Sequence, residues 1–110
     1  MTTYFYDPQD RQIKDLVAGV HARTFWGEKM LLAVVNLDAD AVIPSHSHPH
    51  EQGGIVLEGD PEFTIAGEVC LLHPGDLYVI PGGVAHSVSV GPKQAKVLDI
   101  FSPVREEYKY

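Results

Sequence analysis

Turn-forming residues recur along this chain at intervals too short for ordinary helices. Gly27-Glu28, Asp38-Ala39-Asp40, Gly59-Asp60-Pro61, Ala66-Gly67, Pro74-Gly75-Asp76, Pro81-Gly82-Gly83 and Gly91-Pro92 punctuate it. Glycine serves turns by reaching positive φ, and proline by fixing φ in advance. The pieces left between them are apolar or alternating runs of four to eight residues, at 20–25, 30–37, 41–48, 54–58, 62–65, 68–72, 77–80, 85–90 and 95–101. Eight or nine strands of that length indicate an antiparallel sandwich or barrel. One stretch reads differently. In 9–20, Ile13, Leu16, Val17 and Val20 fall at i, i+3, i+4 and i+7, with Asp10 as N-cap and Gly19 as stop, which predicts one or two helical turns.

A chain of 110 residues has room for one core. The expected division is an N-terminal arm over 1–19, a barrel over 20–101 and a tail over 102–110. The formal net charge is −7, and the 8 Lys and Arg are scattered, so nucleic acid and anionic membrane are poor partners. Apolar stretches such as 30–35 are far too short to span a bilayer, and 1–10 lacks a secretory pattern, which makes the cytoplasm the simplest location. Cys70 is alone, so neither an intrachain disulfide nor a cysteine zinc site is available. Between Val69 and Leu71 it reads as a small buried hydrophobe.

His46-Ser47-His48 places two imidazoles at i and i+2, which on a strand share one face. His86 follows about forty residues later, after a Pro-Gly-Gly turn, where an antiparallel barrel could bring it alongside. The plainer reading of His-x-His is an exposed strand that binds nothing. His50 reads as a solvated loop residue, and His21 and His73 have no partner spacing.

The surrounding spacing resembles the cupin superfamily. Its first motif runs Gly, five residues, His-x-His, three or four residues, Glu, six residues, Gly. Here it reads Asp40, 41–45, His46-Ser47-His48, 49–51, Gln52, 53–58, Gly59. The second reads Gly75, 76–80, Pro81-Gly82-Gly83, 84–85, His86, 87–89, with Val90 where the family has Asn. The resemblance implies an all-β, single-domain cupin: a double-stranded β-helix or jelly-roll barrel with a short N-terminal helical or irregular segment. Asp40 and Val90 are minor departures. Gln52 is the consequential one, because it replaces an acidic ligand. Glu51 is its rival, although one residue off the spacing turns it to the opposite face of an extended chain. A neutral amide leaves the charge of a divalent ion uncompensated, which favours Lewis-acid work. It also removes the two-His-one-carboxylate arrangement of Fe(II) oxygenases.

Two strings, 46–52 and 99–108, resemble the small cupins of the pectin-degradation type, which open unsaturated monouronates into linear keto sugars. The resemblance implies a divalent transition metal (zinc, nickel, manganese, iron or copper) on His46, His48, Gln52 and His86. It also implies functional roles for Asp99, Phe101 and Arg105. Strand alternation puts Asp99 on the face of Val97 and Phe101, where a carboxylate looking into the barrel suits a general acid/base. Arg105 offers a planar fork for a sugar carboxylate, against the plainer alternative of a surface pair with Glu106 or Glu107. Phe101 either lines the pocket or is plain core. Tyr78 and Trp26 read as packing, and Gly82 and Gly83 as turn residues. The leading expectation is thus a sugar-acid enzyme with a small-molecule substrate. Its competitors are a metal-dependent dioxygenase and a non-catalytic metal- or sugar-binding module. Small cupins commonly pair, so a homodimer is expected, with 30–35 as a strand that a second chain could cover.

Overall fold

The computed structural model describes residues 4–110, so the first three positions of the expected arm lie outside the described residues. Ten strands follow one another: β1 (Lys14–Val17), β2 (Val20–Trp26), β3 (Leu31–Leu37), β4 (Val42–His46), β5 (Glu51–Glu58), β6 (Glu62–Ile65), β7 (Glu68–Leu71), β8 (Leu77–Ile80), β9 (His86–Ser89) and β10 (Ala95–Ser102). They form two antiparallel sheets, ordered β1-β2-β3-β10-β5-β8 and β4-β9-β6-β7. This is the all-β barrel expected from the turn pattern. Two expected turns fall where left-handed backbone is needed: Gly59 has φ 83°, and Asp40, standing at the first motif glycine, has φ 63°. Asparagine and aspartate tolerate that region better than other side chains, which explains the substitution.

The barrel closes because alternation is kept strictly where it matters. Along β3 and β10 every second residue is buried. Leu31, Val35, Leu37, Val56, Val97 and Phe101 of the larger sheet meet Phe63 and Val88 of the smaller one. β10 lies between β3 and β5, pairing Asp99 with Ala33 on one side and with Gly54 on the other. A polar side chain is thereby carried into the centre of an apolar layer. β3, expected as a strand for a second chain to cover, sits between β2 and β10, with Leu32 and Val34 partly buried.

Two local expectations are corrected. Instead of a helix over 9–20, Pro8–Asp10 forms a single 3-10 turn, capped by Asp7 rather than Asp10, and β1 follows. So short a helix is marginal alone, and hydrogen bonding to β2 offers the backbone a better arrangement. Cys70 is exposed, not buried, because β7 is the outer strand of its sheet and all four of its residues face solvent. Among the described residues no helix is long and apolar enough to cross a membrane.

The arm and the tail fasten each other to β2. Buried Thr24 donates its hydroxyl to the Tyr108 carbonyl at 2.6 Å, and the Tyr110 hydroxyl donates to the Ala22 carbonyl at 3.1 Å. The Arg11 guanidinium lies over the rings of Tyr110 (4.4 Å) and Trp26 (5.0 Å). His21, which the sequence left without a partner, ties β1 to the turn after β3: Nδ1 meets Asp15 at 2.6 Å and Nε2 meets Asp38 at 3.1 Å.

Those hydrogen bonds to Asp15 and then Asp38 raise the His21 pKa above the ordinary imidazole value of 6.5. A raised folded pKa means stability that is complete below the unfolded value and lost as pH rises through the folded one. His21→Gln should therefore cost about 0.5 kcal/mol at pH 5.5 and nothing well above the folded pKa, since both aspartates are exposed and screened. Urea melts of the two proteins across pH check this, and a pH-independent difference contradicts it.

Candidate metal centre

Three imidazoles converge from two segments. His46 ends β4 and faces His86, the first residue of β9, as a direct cross-strand pair. A bulge between Ile43 and His46 sets that register. His48 lies beyond the end of β4, so the His-x-His pair shares a target through the loop that follows the strand rather than through alternation alone. Gly82 packs against the Pro49 carbonyl so closely that any Cβ would collide with it, and the Gly83 N–H donates to the His48 carbonyl at 2.8 Å. The Pro-Gly-Gly turn thus holds the histidine loop as well as delivering His86.

Each ring is oriented the same way. Nδ1 of His46 donates to the Pro44 carbonyl (2.9 Å), that of His48 to the His50 carbonyl (3.0 Å) and that of His86 to the Val84 carbonyl (2.9 Å). A carbonyl can only accept, so the proton of each neutral ring sits on Nδ1 and Nε2 keeps a bare lone pair. Burial pushes His48 and His86 below the usual imidazole range, and the charge of nearby Arg105 pushes them the same way, so both are neutral at pH 7. One ligand atom from each of the three rings lies within 4.8 Å of the other two.

Gln52 lies beside the three rings. Alternation on β5 turns it inward while Glu51 is exposed, which places the amide and not the carboxylate at the cluster. Its Nε2 donates to Asp99 Oδ1 at 3.0 Å, which leaves Oε1 facing His48 Nε2 at 3.1 Å. Two acceptors confront each other there. His86 Nε2 is buried with no hydrogen-bond partner. Bare lone pairs crowded together in a buried site call for a cation, and two donors bound to one ion at about 2.1 Å stand roughly 3 to 3.5 Å apart. The residues fit a divalent metal.

The cluster opens on a cavity of about 70 Å³ lined by His46, Gln52, His86, Asp99, Phe101 and Arg105, with apolar walls from Val35, Leu37, Phe63 and Val97 among others. Burial pushes the Asp99 carboxyl above the usual carboxylate range, while hydrogen bonds from Tyr78 and Gln52 and the charge of Arg105 oppose the shift. Phe101 is both core and wall: fully buried, it meets His48 edge-on at 5.7 Å. Arg105 stands 3.6 Å from Glu107, as the plainer reading had it, yet its guanidinium also stacks on Tyr108 (4.0 Å) and borders the cavity.

Two contributors escaped the sequence reading. Tyr78, read as packing, donates its hydroxyl to Asp99 Oδ1 at 2.6 Å. Its alternation with exposed Leu77 and Val79 already required the hydroxyl to end inside the barrel, where a buried phenol needs a partner. Tyr108, the platform under Arg105, stands three residues along the chain from it, but only the fold brings this part of the tail back to the site. His50 is half-buried rather than fully solvated, and the structure does not bring it into the three-ring cluster.

Residues 33–101 match a family model described as a cupin domain. No curated protein matches the chain. Among solved structures it is similar to an RmlC-like cupin from Shewanella frigidimarina NCIMB 400, at 25% identity and TM-score 0.91, covering 98% of this chain and 97% of that one. It is also similar to KdgF from Halomonas sp., at 28% identity and TM-score 0.90, covering 98% and 100%. An oxalate decarboxylase variant of Bacillus subtilis shares the fold, at 22% identity and TM-score 0.79, over 89% of this chain and 29% of that one.

Metal added to chelator-stripped protein at a hundred times its dissociation constant should stabilise the fold by about 2.7 kcal/mol. Calorimetry reads this as an upward shift in melting temperature. His86→Ala should melt near the metal-free protein and lose most of the shift. No shift with zinc, nickel, cobalt, manganese, copper or iron would refute the centre.

Proposed function

Since the chain belongs to the cupin family, we propose that it is a metal-dependent enzyme that opens 4,5-unsaturated monouronates into linear keto sugars. The observation that carries this reading is that Asp99 and Arg105 border the same cavity as His46, Gln52 and His86. Its resemblance to the pectin-degradation type of small cupin, and its similarity to KdgF, support it. In this reading His46, His48, Gln52 and His86 hold the metal, and the whole chain, arm and tail included, acts as one unit.

Arg105 receives the substrate carboxylate. Its Nε makes no hydrogen bond, standing 3.6 Å from Glu107, and Tyr108 stacks on its plane, which holds the planar donor fork at the cavity for two oxygens. Phe101 forms the wall beside the ring. Asp99 takes the proton from the anomeric hydroxyl. The C1–O5 bond then breaks, and its electron pair stays on O5 as an enolate. Asp99 returns the proton to C4, so the reaction is an isomerisation that needs no oxidant. Burial holds the Asp99 pKa high enough for a carboxyl that must both take and give. The metal, when bound, supplies positive charge for the oxygen that becomes anionic. Local charge from the metal and Arg105 also draws in an anion that the net charge of −7 would repel.

We place the expected homodimer contact on the outer face of the larger sheet, at β8. Of the four outer strands, β1 and β7 carry charged side chains and β4 carries Pro44, whereas Leu77-Tyr78-Val79-Ile80 has neither charge nor proline. Leu77 and Val79 are exposed beside a groove floored by Gly53 and Gly54. A second copy with the same negative charge meets least repulsion over an uncharged strand, and an unprotected apolar edge invites pairing with its own symmetry mate.

Loss of the ultraviolet absorbance of the C4=C5 bond follows turnover directly. Asp99→Asn should slow it by about two to four orders of magnitude with metal still bound. Arg105→Lys should raise KM about tenfold with a smaller effect on kcat. Undiminished activity in Asp99→Asn would remove the proton-transfer role. For the dimer, light scattering should give twice the chain mass for wild type and the chain mass for Leu77→Lys; equal masses for both proteins would refute the β8 contact.

A further inference from the structure

We propose that Tyr78 is a positioning residue for the oxygen ligand of the metal centre: by holding Asp99 Oδ1, it decides which end of the Gln52 amide faces the histidines. The inference rests on the ligand set proposed above. It goes beyond that set by assigning the orientation of its neutral member to a residue on another strand.

The two ends of a carboxamide have nearly the same shape, so only hydrogen-bond partners distinguish them. A Gln52 amide turned end for end would give its NH₂ to the bare Nε2 of His48, satisfy that lone pair and block a cation. The flipped state is therefore a real competitor. It fails because it would set the amide oxygen against Asp99 Oδ1, acceptor to acceptor. The preference is only as firm as the position of that carboxylate oxygen.

Tyr78 supplies the firmness. Its hydroxyl donates to the same Oδ1, at 2.6 Å against 3.0 Å from Gln52. The ring itself cannot swing. It is buried, it packs on Phe63 at 4.5 Å between ring centres, and it lies over Gly54, its cross-strand neighbour on β5. Any Cβ at position 54 would collide with it, which explains a glycine in the interior of that strand. Both donors land on Oδ1, so the other oxygen of Asp99 stays available to the cavity that Asp99 borders. One phenol thus orients two groups, the proton carrier and, through it, the metal's oxygen donor.

The test is a double-mutant cycle read by cobalt binding, with dissociation constants from competition against a chelator. Tyr78→Phe keeps the ring and removes only the hydroxyl. With Gln52 present it should weaken cobalt binding about tenfold, the loss typical of a partner that orients a ligand. It should also alter the visible absorption of the bound cobalt. In the Gln52→Ala background the same change should matter less than about twofold, because nothing remains to orient. Equal weakening in both backgrounds would mean general damage and overturn the inference, as would no weakening in either. A wild-type protein that takes up no cobalt would also overturn it. Turnover plays no part in these measurements: a protein that binds cobalt as described yet leaves unsaturated uronates untouched would refute the substrate and keep Tyr78 in its role.

Discussion

Unsatisfied electron pairs, gathered in an apolar barrel, are the constraint around which this molecule is arranged. A buried acceptor without a donor costs roughly 1–3 kcal/mol. Here three imidazole nitrogens and an amide oxygen are brought together, and backbone carbonyls take up the only ring protons available. Such a concentration of acceptors is tolerable only if something positive shares the space. The rest of the fold keeps them from relaxing apart.

The two sheets divide that labour. The smaller sheet and its adjoining loop supply the histidines, with His46 and His86 as cross-strand neighbours. The larger sheet supplies Gln52, Tyr78 and Asp99 from three adjacent strands, β5, β8 and β10, linked by two hydrogen bonds to one carboxylate oxygen. The tail contributes Arg105, held by Tyr108 and, through the Tyr108 carbonyl, by Thr24. The groups therefore come from several pieces of scaffold, and their meeting point is the narrow interior between layers.

What could be read in advance follows from the range of each interaction. Strand positions and turns were legible because period-two burial and turn chemistry are local: 62–65, 77–80 and the turn at Ala66-Gly67 fall where the residues say. The inward choice of Gln52 over Glu51 was legible for the same reason. The helical spacing of Ile13, Leu16, Val17 and Val20 misled because the hydrogen bonds offered by β2 are not written in that segment. Cys70 misled because apolar neighbours reveal nothing about whether a strand is covered. The bond of Tyr78 to Asp99, the docking of Tyr108 on Thr24 and the pairing of His21 with Asp38 join residues 17 or more apart in the chain, and no local pattern announces them.

The place of β10 carries a consequence for biosynthesis. It is the last strand in chain order, yet it occupies the lane between β3 and β5. While those residues remain inside the ribosomal exit tunnel, β3 and β5 have no strand to join them, and the larger sheet is split into halves. The nascent polypeptide must therefore hold its apolar strands apart or shielded until translation has delivered the segment that zips them together, which also brings the acidic side chain to the waiting imidazoles.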